Sequence, residues 1–236
     1  MDERLENLRS TKNPKARIKI MKGHFATSNS HLDTYIDMST VKIRHNNARE
    51  AAKVLAQEYV TSTYVDTIVC LDETSVIGAF LAEQLADSTH MALSHKNNIS
   101  VITPEYNGLG QIMFRDNQQR MIKDQQVLVL AASITTGKTI KRAIDSVLYY
   151  GGTICGVCSI FSAVTKVAGM EVKTIFTSKD LPAYHAYEPN KCPMCEAGCA
   201  LKRAGNKCSH LSLRLLILLF NRYSCSISII LNIQNC

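Results

Sequence analysis

The chain has 236 residues, a net charge of +7 at pH 7 and 46% hydrophobic residues. This length suits one α/β domain with appendages or two small domains, and the apolar content excludes global disorder. The positive charge favours an anionic partner such as a phosphorylated sugar, whereas the lack of Trp and of an arginine-rich stripe argues against nucleic acid. Residues 1–10 are polar and lack the apolar stretch of a secretion signal, so we expect a cytoplasmic protein.

Strand-like and helical patterns alternate through the middle of the chain. Apolar residues recur at helical spacing in residues 49–59, 76–85 and 139–149. Short apolar runs predict strands at residues 66–71, 99–103, 111–114, 127–132, 153–161 and 172–176. Strands that alternate with helices predict an α/β fold with a central, mostly parallel sheet and helices on both faces.

Composition divides the chain into four parts. Residues 1–22 carry mixed charge and little periodicity, which predicts a peripheral N-terminal segment before a main domain at residues 23–182. Residues 183–210 form a cysteine-rich segment, and residues 211–236 form an apolar tail without acidic residues. The tail's apolar run is shorter than the roughly 20 residues of a membrane span, so we do not expect a membrane partner. Two other interpretations fit better. The tail is a packed terminal helix or strand, or it is foreign to the domain, as after a shifted reading frame. The abrupt change of composition favours the second.

Residues 127–139, VLVLAASITTGKT, predict a phosphate-binding turn between a buried strand and a helix. The first N–H groups of a helix lack partners inside the helix, and the helix dipole attracts an anion there. Gly137 allows the backbone to approach a phosphate closely. We call residues 133–139 the phosphate loop. Its predicted phosphate contacts are Ser133, Thr135, Thr136, Gly137, Lys138 and Thr139.

Two families have loops of this kind. The P-loop nucleotide hydrolases require G-x4-G-K-[ST], and here Ala132 occupies the position of the first glycine. The strand predicted at residues 153–161 is followed by Ser162 instead of an Asp that could bind the metal, which further disfavours a hydrolase. The run from Ile134 to Gly137, with Thr139, more closely resembles the phosphate loop of the type I phosphoribosyltransferases.

Two further stretches resemble orotate phosphoribosyltransferases in particular. Gly23-His24-Phe25, followed by serines and by Tyr35-Ile36-Asp37, is similar to the N-terminal segment of that family. Residues 66–85 are similar to its strand, pyrophosphate loop and helix. The resemblance extends over about residues 20–180 in the family's order.

The resemblance implies the type I phosphoribosyltransferase fold, with a small hood over the site, and transfer of phosphoribose from phosphoribosyl pyrophosphate (PRPP) to a base such as orotate. It also implies Mg²⁺ as cofactor and a homodimer. The pyrophosphate and magnesium would lie at residues 72–75, the pyrophosphate loop, and the hood would be residues 103–119. The implied contacts are Asp72, Glu73, Thr74 and Ser75 in the loop, Tyr106, Asn107 and Arg115 in the hood, and Phe25 and Tyr35 at the base.

The chain departs from the family immediately before the phosphate loop. An acidic pair is expected there to hold the ribose hydroxyls, but the residues are Ala131 and Ala132. Because a hydrogen bond to a charged group contributes about 1.5–3 kcal/mol, losing both carboxylates should matter. Two functions therefore stay open: a divergent transferase that uses other carboxylates such as Asp72 and Glu73, and a non-catalytic sensor of PRPP or nucleotide.

Cys192 and Cys195 have the C-x2-C spacing of a zinc knuckle. We call residues 192–195 the cysteine knuckle and treat it as a candidate Zn²⁺ site, with further candidate ligands at Cys199, Cys208 and His210. His24 and His31 could titrate near neutral pH, but the sequence assigns them no role.

Overall fold

The computed structural model describes residues 5–27, 30–59, 64–87, 98–108, 110–181 and 184–202. Its strands are β1 (Glu6–Arg9), β2 (Arg17–Ala26), β3 (His31–Asp37), β4 (Thr67–Cys70), β5 (Ser100–Ile102), β6 (Glu105–Tyr106), β7 (Ile112–Met113), β8 (Gln126–Ile134), β9 (Thr153–Ser162), β10 (Lys166–Val167), β11 (Met170–Thr177) and β12 (Ala186–Tyr187). Its α-helices are α1 (Ser39–Ile43), α2 (His45–Ala56), α3 (Ser75–Ala86), α4 (Asp116–Gln119), α5 (Lys138–Tyr149) and α6 (Pro193–Glu196).

A six-stranded sheet with the order β10-β11-β9-β8-β4-β5 forms the centre of the fold. All its neighbouring strands are parallel except β10, which pairs antiparallel with β11. Residues 127–130 of β8 are fully buried, as expected for a central strand that is covered on both faces. The predicted mostly parallel sheet is confirmed.

Two hydrophobic cores lie on opposite faces of this sheet. One joins Leu128 and Leu130 of β8 to apolar residues of α2 and α3. The other joins Val127 and Val129 to apolar residues of α5. Because side chains alternate between the faces of a strand, the single apolar run of β8 supplies both cores. Helices therefore cover both faces, as the sequence predicts.

The N-terminal segment is part of a second, four-stranded sheet with the order β1-β2-β3-β12. Ala16, Ile18 and Ile20 are 1%, 3% and 4% exposed and belong to the first core. β2 therefore packs against the first core, whereas β1 is a mostly exposed edge strand of this sheet. The alternation of apolar and polar residues from Arg17 to Lys22 was the strand signal that the prediction overlooked.

The change of boundary that bears on the site concerns β8, which continues two residues beyond its predicted end. Ser133 and Ile134 pair with Phe161 and Ser162 of β9, so the first two residues of the phosphate loop are still in the sheet. The run predicted as a strand at residues 111–114 shortens to β7, which forms a two-stranded hairpin with β6.

Within the described residues, no helix is long and apolar enough to cross a membrane. The apolar tail and residues 203–210, which include Cys208 and His210, lie outside the described residues.

Candidate functional site: the carboxyl edge of the central sheet

The phosphate loop leads from β8 into α5, as the sequence predicts. Gly137 is the N-cap residue of the 12-residue helix and has a left-handed backbone (φ +76°), and it has no side chain to accept hydrogen bonds from the first N–H groups of the helix. Ser133, Thr136 and Lys138 are exposed, whereas Thr135 and Thr139 are half-buried. The start of α5 therefore presents hydroxyl groups, a lysine and backbone N–H groups to an anion.

The conformation of Gly137 leaves no space for a side chain. A Cβ atom built there would lie 2.7 Å from Cγ2 and 3.2 Å from Cγ1 of Val167 in β10. Val167 is 8% exposed and its branched side chain has few alternative rotamers. Glycine is thus required both by the backbone angle and by the close approach of β10.

The pyrophosphate loop follows β4, the neighbour of β8 in the sheet. Asp72 and Glu73 both have left-handed backbones, with φ of 53° and 61°. Thr74 is fully buried and its hydroxyl donates to the carbonyl oxygens of Leu71 (2.7 Å) and Leu130 (3.3 Å). Two consecutive left-handed residues other than glycine are costly and persist where the surrounding structure enforces them, which is typical of ligand sites.

The carboxyl group of Asp72 connects the two loops. It lies near the backbone N–H groups of Ala132 and Ser133. Desolvation by the surrounding protein raises the pKa of Asp72, and these two N–H groups and the charge of Lys42 oppose that rise. A carboxylate therefore lies against the backbone of the segment where the family's acidic pair is expected.

The side chains of the two alanines contribute no polar group to the site. Ala131 is 1% exposed and packs in the core under α5, whereas Ala132 is 6% exposed and packs in the core on the opposite face. Their methyl groups fill space in the two cores. The departure from the acidic pair is thus a change of packing as well as a change of charge.

A cavity of about 600 Å³ opens beside the pyrophosphate loop. Lys42 of α1 lies on its wall, where its ammonium group donates to the carbonyl oxygen of Asp72 and to the Glu73 carboxylate, each at 3.1 Å. Sequence reasoning missed Lys42, because a single lysine on a short helix forms no recognisable pattern. The cavity is lined by Lys42, Ile43, Cys70, Leu71, Asp72, Glu73, Ser75, Val76, Thr103 and Tyr106.

The hood contains the β6–β7 hairpin, and Tyr106 extends from it into the same cavity. Burial, followed by the charge of Asp72, raises the pKa of Tyr106. The other two predicted hood contacts hold the hairpin itself: Asn107 donates to the side chain of Gln111 (2.6 Å), and Arg115 pairs with Glu105. The structure thus brings Tyr106, but not Asn107 or Arg115, into the cavity.

The residues predicted at the base lie in the N-terminal sheet. Phe25 is 2% exposed, and its ring packs 5.5 Å from the ring of Tyr35. Tyr35 is half-buried, and its pKa is raised by burial and then by the charge of Asp37. Phe25 is therefore placed to support Tyr35 rather than to contact a ligand. Cys192 and Cys195 lie elsewhere, beside His24 and His31.

No protein-family model matches the chain. Comparison with curated proteins finds relatives that share one name. The chain is 27% identical over 192 residues to the orotate phosphoribosyltransferase of Caldicellulosiruptor saccharolyticus, covering 80% of this chain and 91% of that protein. It is 23% identical over 190 residues to the orotate phosphoribosyltransferase of Caldanaerobacter subterraneus subsp. tengcongensis, with the same coverage.

Among solved structures, the UMP synthase of Leishmania donovani superposes with a TM-score of 0.51 and 16% identity. The match covers 69% of this chain and 34% of that chain. This likeness supports the fold. The chain spans only about a third of the length of that enzyme.

Proposed function

We propose that this chain, which has the type I phosphoribosyltransferase fold and is a divergent relative of the orotate phosphoribosyltransferases, binds PRPP and transfers its phosphoribose to a pyrimidine-type base such as orotate. In this proposal the 5-phosphate lies at the start of α5 and the pyrophosphate lies at the pyrophosphate loop. The base lies towards Tyr35.

The observation that carries the proposal is the junction of the two loops at one edge of the sheet. β4 and β8 are parallel neighbours, so both loops leave the sheet at its carboxyl edge. The buried Thr74 hydroxyl of the pyrophosphate loop donates to the Leu130 carbonyl of β8, and the Asp72 carboxyl lies near the backbone N–H groups of Ala132 and Ser133. One edge thus offers an open helix start for a monoanionic or dianionic phosphate and, beside it, a cavity with Lys42 on its wall for a second anionic group.

The donor set of the cavity fits the Mg²⁺ ion that PRPP chemistry implies. Asp72 and Glu73 supply carboxylate oxygens, which this ion prefers, and a Mg²⁺ held mainly by a pyrophosphate needs only one or two of them. The ion would neutralise the departing pyrophosphate.

The chain's own residues would position the ligand and stabilise charge. The start of α5 would hold the phosphate, and Lys42 would keep the pyrophosphate loop in its left-handed conformation. The Asp72 carboxylate would supply negative charge near the ribose in place of the missing acidic pair, where positive charge develops as the C1–pyrophosphate bond breaks. The hood would cover the cavity through Tyr106 and limit access of water.

A test of this function measures release of pyrophosphate from PRPP by the purified chain with Mg²⁺ present. Orotate, uracil and adenine are offered in parallel, with a reaction without base as the blank. Base-dependent release with orotate supports the proposal. Release that is the same with and without base would instead indicate simple hydrolysis and contradict transfer.

A second function, sensing of PRPP or nucleotide without chemistry, is favoured by the burial of Ala131 and Ala132. Ala131 and Ala132 are packed in the cores and supply no carboxylate for the ribose hydroxyls. Among the described residues, Asp72 is the carboxylate near this segment. Binding of PRPP with no release for any base would select this function. The homodimer and the cytoplasmic location implied by the resemblance stay predictions.

A further inference from the structure

Four metal-binding side chains meet where the cysteine knuckle contacts the N-terminal sheet. Their ligand atoms all lie within 4.8 Å of one another. Two come from neighbouring strands β2 and β3, and two come from the start and end of the cysteine knuckle. The four residues are His24, His31, Cys192 and Cys195.

Four of the six distances between these atoms are within about 0.4 Å of the edges of a zinc tetrahedron. With Zn–N of about 2.0–2.1 Å and Zn–S of about 2.3 Å, tetrahedral ligands are separated by roughly 3.3 Å for N···N and 3.6 Å for N···S. His24 Nε2 lies 3.2 Å from His31 Nδ1 and 3.5 Å from the sulfur of Cys192. The sulfur of Cys195 lies 3.6 Å from His24 Nε2 and 3.2 Å from His31 Nδ1.

Hydrogen bonds alone do not explain this arrangement. His24 Nδ1 lies 2.9 Å from the carbonyl oxygen of Cys199 and must carry a proton to bond it, because a carbonyl only accepts. In the neutral ring, Nε2 is then a single lone pair surrounded by three potential partners at 3.2–3.6 Å. A cation at the centre satisfies all four atoms at once.

The contact of His24 with Cys199 is also the outer interaction that metal-binding histidines usually have. A backbone carbonyl on the remote ring nitrogen fixes the tautomer and the direction of the ligand nitrogen. Cys199 thus contributes its carbonyl, while its exposed thiol is not part of the cluster.

We propose that His24, His31, Cys192 and Cys195 bind one structural zinc ion that fastens the cysteine knuckle to the N-terminal sheet. Two thiolates and two imidazoles are the donor set that selects zinc in tetrahedral geometry. Four protein ligands leave no position for substrate, so the role is structural. The ion adds to a backbone contact between Lys202 N–H and the His24 carbonyl at 2.6 Å.

The chain offers a matched pair of cysteines for the test. Cys195→Ala removes a ligand, whereas Cys199→Ala removes an exposed thiol four residues away that the proposal leaves unused. The full chain is purified under reducing conditions with ZnCl2, dialysed, and its zinc content measured by mass spectrometry. Wild type and Cys199→Ala should each hold about one zinc per chain, and Cys195→Ala should bind it at least on the order of 100-fold more weakly.

Cobalt replacement supplies a second readout, since Co²⁺ in a tetrahedral thiolate site gives intense visible bands and a thiolate charge-transfer band. His31→Ala, which removes a ligand from the N-terminal sheet instead of the cysteine knuckle, serves if Cys195→Ala does not fold. The proposal is overturned if wild type retains no stoichiometric zinc, if Cys199→Ala loses zinc as fully as Cys195→Ala, or if the reduced wild type gives octahedral cobalt spectra.

Discussion

Replacing Gly137 by alanine tests whether the start of α5 is built as a phosphate site. Gly169 supplies the control. Both glycines have left-handed backbones, with φ of 76° and 82°, but a Cβ at Gly169 would meet no atom within 4 Å. Gly169 lies between β10 and β11, close in sequence to the Val167 that a Cβ at Gly137 would strike.

The structure gives the size of the expected effect. A left-handed backbone costs an alanine about 1–2 kcal/mol, partly offset by about 0.4–1 kcal/mol from the less flexible unfolded chain. Only Gly137→Ala adds the contact at 2.7 Å with Val167, and overpacking of this kind costs about 1–3 kcal/mol. Gly137→Ala should therefore lower the free energy of unfolding by about 1–3 kcal/mol more than Gly169→Ala.

Urea unfolding measures this difference, and calorimetric titration with ribose 5-phosphate measures the affinity of the phosphate loop. Gly137→Ala should lose most of its affinity, while Gly169→Ala keeps it. Adding Val167→Ala should recover part of the stability lost in Gly137→Ala. Equal unfolding energies and equal phosphate affinities in the two glycine variants would refute both the contact and the assignment of the loop.

Three further substitutions test neighbouring parts of the site and the core. Asp72→Asn should raise stability at pH 7 by a small amount, since Asp72 is solvent-exposed: desolvation raises its folded-state pKa, so its charge costs stability above that pKa and the cost disappears as the pH falls towards 3.8. An unfolding energy for Asp72→Asn that is lower than wild type at every pH would contradict this. Lys42→Met should weaken PRPP binding about tenfold and leave the affinity for ribose 5-phosphate unchanged, because Lys42 holds the pyrophosphate loop. Calorimetric titration with both ligands measures the two affinities. An equal loss of affinity for both ligands would contradict a role confined to the pyrophosphate loop. Tyr59→Phe should cost about 1 kcal/mol in urea unfolding, since the Tyr59 hydroxyl donates to the Val157 carbonyl at 3.0 Å, with ligand affinity unchanged. An unchanged unfolding energy would contradict a stabilising role for the Tyr59–Val157 hydrogen bond.

Local patterns were sufficient to predict the elements that carry the phosphate loop. The apolar run of β8 and the amphipathic pattern of α5 fix a strand and a helix, and the hydroxylated residues with Gly137 mark the turn between them. The type I phosphoribosyltransferase fold inferred from these elements and from the resemblance is confirmed.

Features that depend on long-range pairing were not predictable. The end of β8 is set by its pairing with β9, so Ser133 and Ile134 belong to the sheet although their sequence suggests a loop. The approach of Asp72 to the backbone of Ala132 and Ser133 joins residues about 60 positions apart, and no local pattern reports it.

The metal ligands show the same limit. The cysteine knuckle is recognisable from its C-x2-C spacing, and the sequence offers further candidate ligands downstream at Cys199, Cys208 and His210. The fold instead brings His24, which lies 168 residues before Cys192, and His31 to the cysteine knuckle. His24 and His31 lie on different strands, and their proximity can be seen only once β2 and β3 are known to be neighbours in the sheet.

The most direct measurement is calorimetric titration of the wild-type chain with PRPP, with and without Mg²⁺. We predict binding that requires Mg²⁺ for full affinity, that is lost in Gly137→Ala and that persists in Gly169→Ala. The absence of any binding at millimolar PRPP, or binding equally strong in all three proteins, would contradict a PRPP site formed by the phosphate loop and the pyrophosphate loop.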